Sequence, residues 1–462
     1  MSARKIALLI LILGLGATLE TVWSVRNQVD IGPEGCRVLG GRFYGPSWTF
    51  EDESRAEVPE GTRVEVTNAF GGVTVAAGEP GRVKVGLRKV VYLPTEERAR
   101  DFSRRVVLRA ERQGDRMEVG TNRDALSREE RVGLETHLEL EVPPGTPVVV
   151  RNDHGRVEVA DVSRADLTAS YEGVQVTRVT GPVEVRVRHG GASVSEVGGD
   201  LVLDARYGDV AVEGVTGTAR LEARHGRVEV RRAGAVEIDH SHGDVRVEDV
   251  TGDVRVRGAH AGVHVRNVGG DADVETSYDG VDLADVAGEA RLKTAHGEVK
   301  ATGVRGALSV EASYNRVELQ DVGGPIDVVV VHGGVQARDV RKGGRIKASG
   351  DDVSLDGFAG PLEVETERAS VDLAPLGPIT ERVSVKAARG GIRLVVPAGS
   401  RFDLVAETRR GELRADLPGL TVTRSDRRHV SGTLAGGGSP VSLSADGDVE
   451  LETLAATARG EP

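Results

Sequence analysis

The chain of 462 residues is short of nearly everything that builds a thick protein core. Phe, Trp and Tyr together make up 3% of it, and it holds two Met. Large side chains of those kinds fill an ordinary globular interior. The apolar content here is mostly Val, Ala and some Leu, which suits a thin core between closely spaced backbones. The single cysteine, Cys36, excludes an intrachain disulfide framework. In an exported chain its thiol is free or paired between molecules. Pro33-Glu34-Gly35 ahead of it lacks the small and apolar residues that lipid attachment needs. No basic stripe with interleaved aromatics is present and the formal charge is −12, so nucleic acid is not an expected partner. Ser-His-Asp order, a phosphate loop, Cys/His zinc spacing and a dinucleotide fingerprint are missing as well.

Long apolar runs are also absent, with one exception. Arg4 and Lys5 precede an apolar stretch over residues 6–19, followed by Glu20, Thr21, Val22 and Trp23. The length suits a signal-peptide core, and residues 6–25 are long enough to span a bilayer. Gly14-Leu15-Gly16 is a poor cleavage signal. The expectation is an uncleaved single-pass anchor with its basic end inside, the alternative being a secreted or periplasmic chain after cleavage. Both place everything after Gln28 outside the cytoplasm, in a bacterial cell envelope.

What is abundant is repetition. A His or Tyr, usually followed within two residues by Gly, recurs at His154, Tyr171, His189, Tyr207, His225, His242, His260, Tyr278, His296, Tyr314 and His332. The spacing is 18 residues with two intervals of 17, and the series takes seven of the eleven His and four of the six Tyr. Eight residues later a second beat keeps step at Val162, Val179, Val197, Val215, Val250, Val268, Val286, Val304, Val322 and Val340, and Phe358 and Leu376 continue it. Gly usually follows two residues after each, as at Gly181, Gly252, Gly270, Gly288, Gly306 and Gly324.

Between these markers apolar and polar residues alternate, as in Val183, Glu184, Val185, Arg186 and Val187. Period two broken by Gly means short strands with one buried face. Arms so short cannot bury that face alone, and no helices are available to cover them. Stacking coil on coil satisfies every backbone group and lets Val pack on Val. The predicted fold is therefore an all-β parallel solenoid of about 18 residues per coil, with Gly corners where positive φ is cheap. Hairpin-joined sandwiches and propeller blades of about 40–50 residues do not fit this beat. Outward residues three before the marker alternate in sign at Asp239, Arg257, Glu275, Lys293 and Glu311, as adjacent rungs would favour.

The flanks are less regular. Residues 1–25 are the signal anchor or signal peptide, 26–54 a linker, and 55–147 an N-terminal β cap. That cap holds a short helix over residues 95–105 and a related signature, Asn68-Ala69-Phe70-Gly71-Gly72-Val73. Residues 148–379 carry the regular repeats, 380–452 a C-terminal β section, and 453–462 a disordered tail. Caps are expected because an open solenoid end invites unwanted pairing.

With Val64-Glu65-Val66-Thr67-Asn68-Ala69-Phe70-Gly71-Gly72-Val73, units such as Gly243-Asp244-Val245-Arg246-Val247-Glu248-Asp249-Val250-Thr251-Gly252, and the closing Gly390-Gly391-Ile392-Arg393-Leu394-Val395-Val396-Pro397, the chain resembles the bacterial putative-adhesin family, a β-strand-repeat domain of unknown function, over residues 55–452. The resemblance implies an envelope location and a surface or scaffold role. It brings no catalytic residues.

Two columns carry possible chemistry. Stacked imidazoles at His225, His242 and His260, with His240 and His264 near them, raise the possibility of Zn²⁺ or Cu²⁺ binding. Because Tyr shares the column, ring-on-ring packing at a corner is the preferred reading. Asp161, Asp249, Asp285, Asp321 and Asp339 recur before the second beat, and Asp321 and Asp339, with Asp356 after them, are the best pair for an ion. Arg178, Arg232, Gly214 and Gly303 take the same column elsewhere, so corner hydrogen bonding is preferred there. No cofactor or metal is expected. The chain reads as a non-enzymatic, adhesin-like or scaffold solenoid presenting flat polar faces to a polysaccharide or envelope protein. The alternatives are a carbohydrate-active β-helix enzyme and a self-associating sensor or filament module.

Overall fold

The structure, a computed structural model, describes residues 37–39, 42–44, 46–127, 131 and 133–453. The expected anchor at residues 1–25 and the tail from 454 onward lie outside them. Among the described residues no helix is long and apolar enough to cross a membrane. The span expected as a linker is not featureless: strands occupy Arg37–Leu39, Arg42–Tyr44 and Trp48–Glu57. The last of these pairs antiparallel along its whole length with Arg82–Val91. Its polar composition hid it, because an edge strand with no fully buried position shows no apolar alternation.

Two compact units divide the chain, Met1–Gly190 and Gly191–Pro462. Each is a parallel β-solenoid with two strands per winding. In the second unit Val254–His260 pairs with Ala272–Thr276, and Val263–Val268 with Val281–Val286, each residue meeting the one 18 positions later. The beat of the sequence is thus the hydrogen-bonded register itself. Val210, Val228, Val245, Val263, Val281, Val299, Val317, Val335, Val353 and Val371 form one interior column, none more than 2% exposed. Burying a Val side chain contributes about 1.5–3 kcal/mol relative to leaving it exposed. β-Branched residues suit such a column because their stiff χ1 packs well on a pleated surface.

Corners of two kinds join the arms. After the ring marker, Gly208 (φ 130°) and Gly226 (φ 116°) take backbone that L side chains rarely adopt, as the sequence suggests. At the other corner the expectation of positive φ is corrected. Gly252, Gly270, Gly288, Gly306 and Gly324 have no left-handed φ. They are glycines because the rungs approach there: Gly288 N donates to Gly270 O at 3.0 Å, and a Cβ on Gly288 would lie 2.6 Å from that same oxygen.

Left-handed backbone appears instead one residue before the second beat. Asp161, Arg178, Glu196, Arg232, Asp249, Asn267, Asp285, Asp321 and Asp339 all have φ between 52° and 59°, with Gly214, Gly303 and Gly357 in the same column. Asp, Asn and Gly tolerate this region best. The recurrence of Asp there reflects backbone shape.

Both ends depart from chain order. In the first unit the coil of Arg63–Phe70 and Val73–Ala77 pairs on one side with Pro147–His154 and Val157–Val162. On its other side it pairs with Arg116–Thr121 and Leu134–Val142. The first coil in sequence is therefore the second in space. Helix Glu96–Ser103, close to the span expected, buries Ala99 and Phe102 against Val91, Val106, Leu126 and Leu134. Buried Lys89, on strand Arg82–Val91, ties this antiparallel pair to the end of the helix, donating to Asp52 Oδ2 (2.6 Å), Ser103 O (2.9 Å) and Val106 O (3.0 Å).

The second unit mirrors this arrangement. Its final strands, Ser439–Ala445 and Val449–Thr453, lie between the coil of Val383–Ala387 and Ile392–Val396 and the coil of Phe402–Thr408 and Leu413–Ala415. Antiparallel strands His429–Leu434 and Leu420–Asp426 complete the end. A bulge at Val422/Arg424 and the charges of Arg424 and Asp426 guard the outermost edge, Leu420–Asp426.

Candidate functional site

The His/Tyr markers do form columns. In the second unit Tyr207, His225, His242, His260, Tyr278, His296, Tyr314 and His332 stack in one unbroken run, with centroid separations of 4.5–5.3 Å. Most neighbouring planes are within 5° of parallel, as for His242 and His260 at 2°. The last pair, Tyr314 and His332, is tilted by 31°, and both residues take left-handed backbone. In the first unit Phe70, His154, Tyr171 and His189 stack at 4.5–5.1 Å. That ladder begins one ring earlier than the His/Tyr series, at Phe70 of the related signature.

Alternation along the strand puts the rings in phase with buried residues, yet they are not buried. Tyr278 and Tyr314 are each 56% exposed and Tyr207 is 49% exposed. The strand ends at this point, and the corner turns the ring outward before it reaches the interior. The innermost position is two residues earlier, and where it is polar it serves the corner. Asn152 Nδ2 donates to Gly155 O (2.8 Å), Thr276 Oγ1 to Ala261 O (2.9 Å) and Thr366 Oγ1 to Ala369 O (2.8 Å).

His240 occupies this inner position on its own rung and is 4% exposed. Its Nδ1 is 3.1 Å from Ala223 O, and its Nε2 has no partner. Burial holds its pKa below the ordinary imidazole value of 6.5. The next rung places Gly258 opposite His240, and a Cβ on Gly243 would lie 3.2 Å from its Nε2.

The imidazoles weighed as metal ligands therefore separate. His225, His242 and His260 stand in the ladder, His240 lies inside the corner, and His264 is on the other arm with Nδ1 3.6 Å from Asp282 Oδ2. Ring lone pairs lie in the ring plane. Parallel rings 5.0 Å apart aim them side by side, so one ion with bonds of about 2.0–2.1 Å cannot bridge His242 and His260 as stacked. Among the described residues no group of three or more His, Cys, Asp or Glu is placed to hold a metal ion.

The acidic column is likewise spread out. Asp321 and Asp339 hold left-handed corners, and Asp321 Oδ1 is 2.8 Å from Arg341 Nη2. Asp356 sits one column aside, opposite Arg338. Asp161 receives both Nε and Nη2 of Arg178 at 2.6 and 2.7 Å, and this hydrogen-bonded pairing lowers its pKa. In the alternating outward column only Lys293–Glu311 closes to an ion pair, at 3.7 Å. Both groups are well exposed, so its contribution is small.

Sequence reasoning missed a second acidic series. Oδ1 of Asp200, Asp253 and Asp271 accepts from the backbone N–H of Thr218, Asp271 and Glu289 on the next rung, at 2.8–2.9 Å. The 18-residue spacing of Asp253 and Asp271 directly after Gly252 and Gly270 was its available signal.

The model of one protein family, Toastrack DUF4097, matches residues 135–452, more than half of the chain. The chain belongs to this family. Among curated proteins none matches it. Among solved structures, a putative cell adhesion protein from Clostridium sporogenes ATCC 15579 matches over 88% of this chain and 100% of its own at 7% identity. The TM-score is 0.14. The Toastrack match takes in the solenoid windings and the C-terminal end, and the resemblance to an adhesin-type β-repeat family agrees with it.

Proposed function

We infer that the chain is a non-enzymatic binding scaffold of the bacterial cell envelope, held to the membrane through residues 1–25 and presenting its solenoid faces to a polysaccharide or an envelope protein. The observation that carries this reading is the exposed ring ladder. Eight consecutive rungs of the second unit place an aromatic or imidazole ring at the surface. Exposed aromatic strips of this extent are characteristic of interaction surfaces. Address rests on Arg4, Lys5 and the apolar run that follows them.

The electrostatics favour binding over hydrolysis. Glycoside cleavage needs a carboxylic acid whose pKa is raised. Among the described residues the four carboxyls with a clear shift, Glu135, Asp161, Glu365 and Asp426, all move downward through hydrogen bonds that stabilise the ionised form. The test is a pull-down from envelope extracts and cell-wall polysaccharide with the full chain, compared with a variant whose ladder rings are replaced by Ala. Retention of a partner that depends on the rings supports the scaffold role. Turnover of an envelope glycan by the purified chain, or equal retention by both proteins, overturns it.

A further inference from the structure

The ladder of the second unit also indicates the chemistry of its partner, an inference that rests on the binding role above. Because the rings stack face on face, each takes up its neighbour's faces, and solvent meets their edges. A sugar laid flat on an open aromatic face has no place along this run. The ridge offers phenol hydroxyls and imidazole nitrogens repeated about once per 5 Å rung. Among the described residues, the ring polar atoms of His225, His242, His260, Tyr278, His296 and Tyr314 bond to no protein group.

Towards the strand the border of the ridge is small and neutral on five of its eight rungs, whereas Arg206 and Arg224 precede Tyr207 and His225, and Asp244, Asp279 and Glu298 follow His242, Tyr278 and His296 within two residues. The residues immediately before the rings on five successive rungs are Ser241, Ala259, Ser277, Ala295 and Ser313, none of them charged in a chain that is 29% charged. Charges such as Arg257 and Glu275 stand two positions further back, lining an open groove beside the ridge. Acidic residues beside the rings, Asp209, Asp244, Asp279 and Glu298, offset the basic ones, so the strip gives little neutralisation to a phosphate polymer. An extended peptide repeats its same-side groups every 6.6 Å or so, and falls out of step with the rungs within two or three of them. A fully extended chain of equatorially linked pyranoses advances by about one rung per sugar and offers hydroxyls that both donate and accept.

We propose that the ring edges from Tyr207 to His332 bind an extended, uncharged β-linked polysaccharide lying along the ladder, one sugar to a rung. Each ring edge exchanges hydrogen bonds with one unit, so affinity builds with length and short oligomers bind weakly. Tyr207 and His332 mark the ends of the strip; within it Tyr278, His296 and Tyr314 stack within 5° of parallel, and these two tyrosines are the most exposed of its three.

The first unit supplies the variant that separates the strip from the fold. Phe70 stacks on His154 at 5.0 Å, so Phe is accepted in a ladder of this kind. The triple variant Tyr278→Phe, His296→Phe and Tyr314→Phe keeps three rings stacked and removes their hydrogen-bonding edges. Titration of the full chain in detergent with cellohexaose, chitohexaose and the curled maltohexaose should show binding of at least one extended oligomer. Affinity should rise from tetramer to hexamer, maltohexaose should not bind, and the triple variant should lose about tenfold or more. The proposal is overturned if neither extended hexamer binds at millimolar concentration, if maltohexaose binds equally well, or if the triple variant binds like the native chain. A ring-dependent envelope protein recovered without any oligosaccharide binding would sink this inference and leave the scaffold role intact.

Discussion

Replacing Gly288 by Ala puts the corner packing to a quantitative test. A Cβ at this position would sit 2.6 Å from Gly270 O and 2.8 Å from Gly270 C, and would overlap Asp271 Oδ1. Contacts of Cβ atoms below 3.0 Å essentially do not occur, so the two rungs must part by roughly 0.4 Å or more at this corner. The bond from Gly288 N to Gly270 O, now 3.0 Å, would stretch beyond good geometry. The cap from Asp271 Oδ1 to Glu289 N, at 2.8 Å, would be pushed aside. Overpacking costs about 1–3 kcal/mol, and a weakened hydrogen bond adds about 0.5–1.5 kcal/mol. Gly288→Ala should therefore destabilise by about 1.5–4.5 kcal/mol.

The control is Gly377→Ala, where nothing lies within 4 Å of the new methyl and φ is not left-handed. It should be neutral or stabilise by about 0.4–1 kcal/mol through the unfolded chain. Urea midpoints and hydrogen exchange at the amides of residues 270, 288 and 306 provide the readout. Exchange matters because stacked repeats can open locally. If Gly288→Ala unfolds at the same midpoint as Gly377→Ala, close approach is not why these corners are Gly.

His240 makes stability depend on pH. Its folded pKa lies below 6.5, so below that pH the unfolded chain binds the proton first and stability falls, by at most about 1.4 kcal/mol per pH unit until the folded value is reached. His240→Asn keeps a polar group at the corner, as Asn152 does, and urea midpoints at pH 7.5 and 5.0 should then converge; an unchanged pH slope would rule His240 out. Ending the chain after Gly438 removes a coil that pairs on both of its sides. Amide protection should be lost in both Val383–Ala387 and Phe402–Thr408, whereas loss from the second alone would show that the missing coil is not intercalated.

The periodic part of the fold was plain in the sequence because hydrogen bonds between rungs require windings of equal length. Any residue needed at one place in a coil therefore returns 18 positions later, as Val245, Val263 and Val281 do. Ring stacking was legible for the same reason. Exposure of the rings was not, because alternation counts positions along a strand and His225 or Tyr278 lies where the strand stops. The sequence reads the Asp column at Asp249 and Asp285 as corner hydrogen bonding, with ion binding as the lesser alternative; its left-handed backbone was not legible, since composition reports which residues share a place and not their φ. The spatial order of the terminal coils was illegible too: the alternation in Phe402–Thr408 and Ser439–Ala445 says that each pairs, but not with whom. Trp48–Glu57 escaped notice because none of its side chains is fully buried.

Since the carboxyl-terminal winding is wedged beneath the one made just before it, the second unit cannot be lengthened by adding residues at that tip. New windings can enter only by duplication in the interior, where each layer is interchangeable with the next. The length of the ring series could therefore change in steps of one turn while both finishing structures stay as they are.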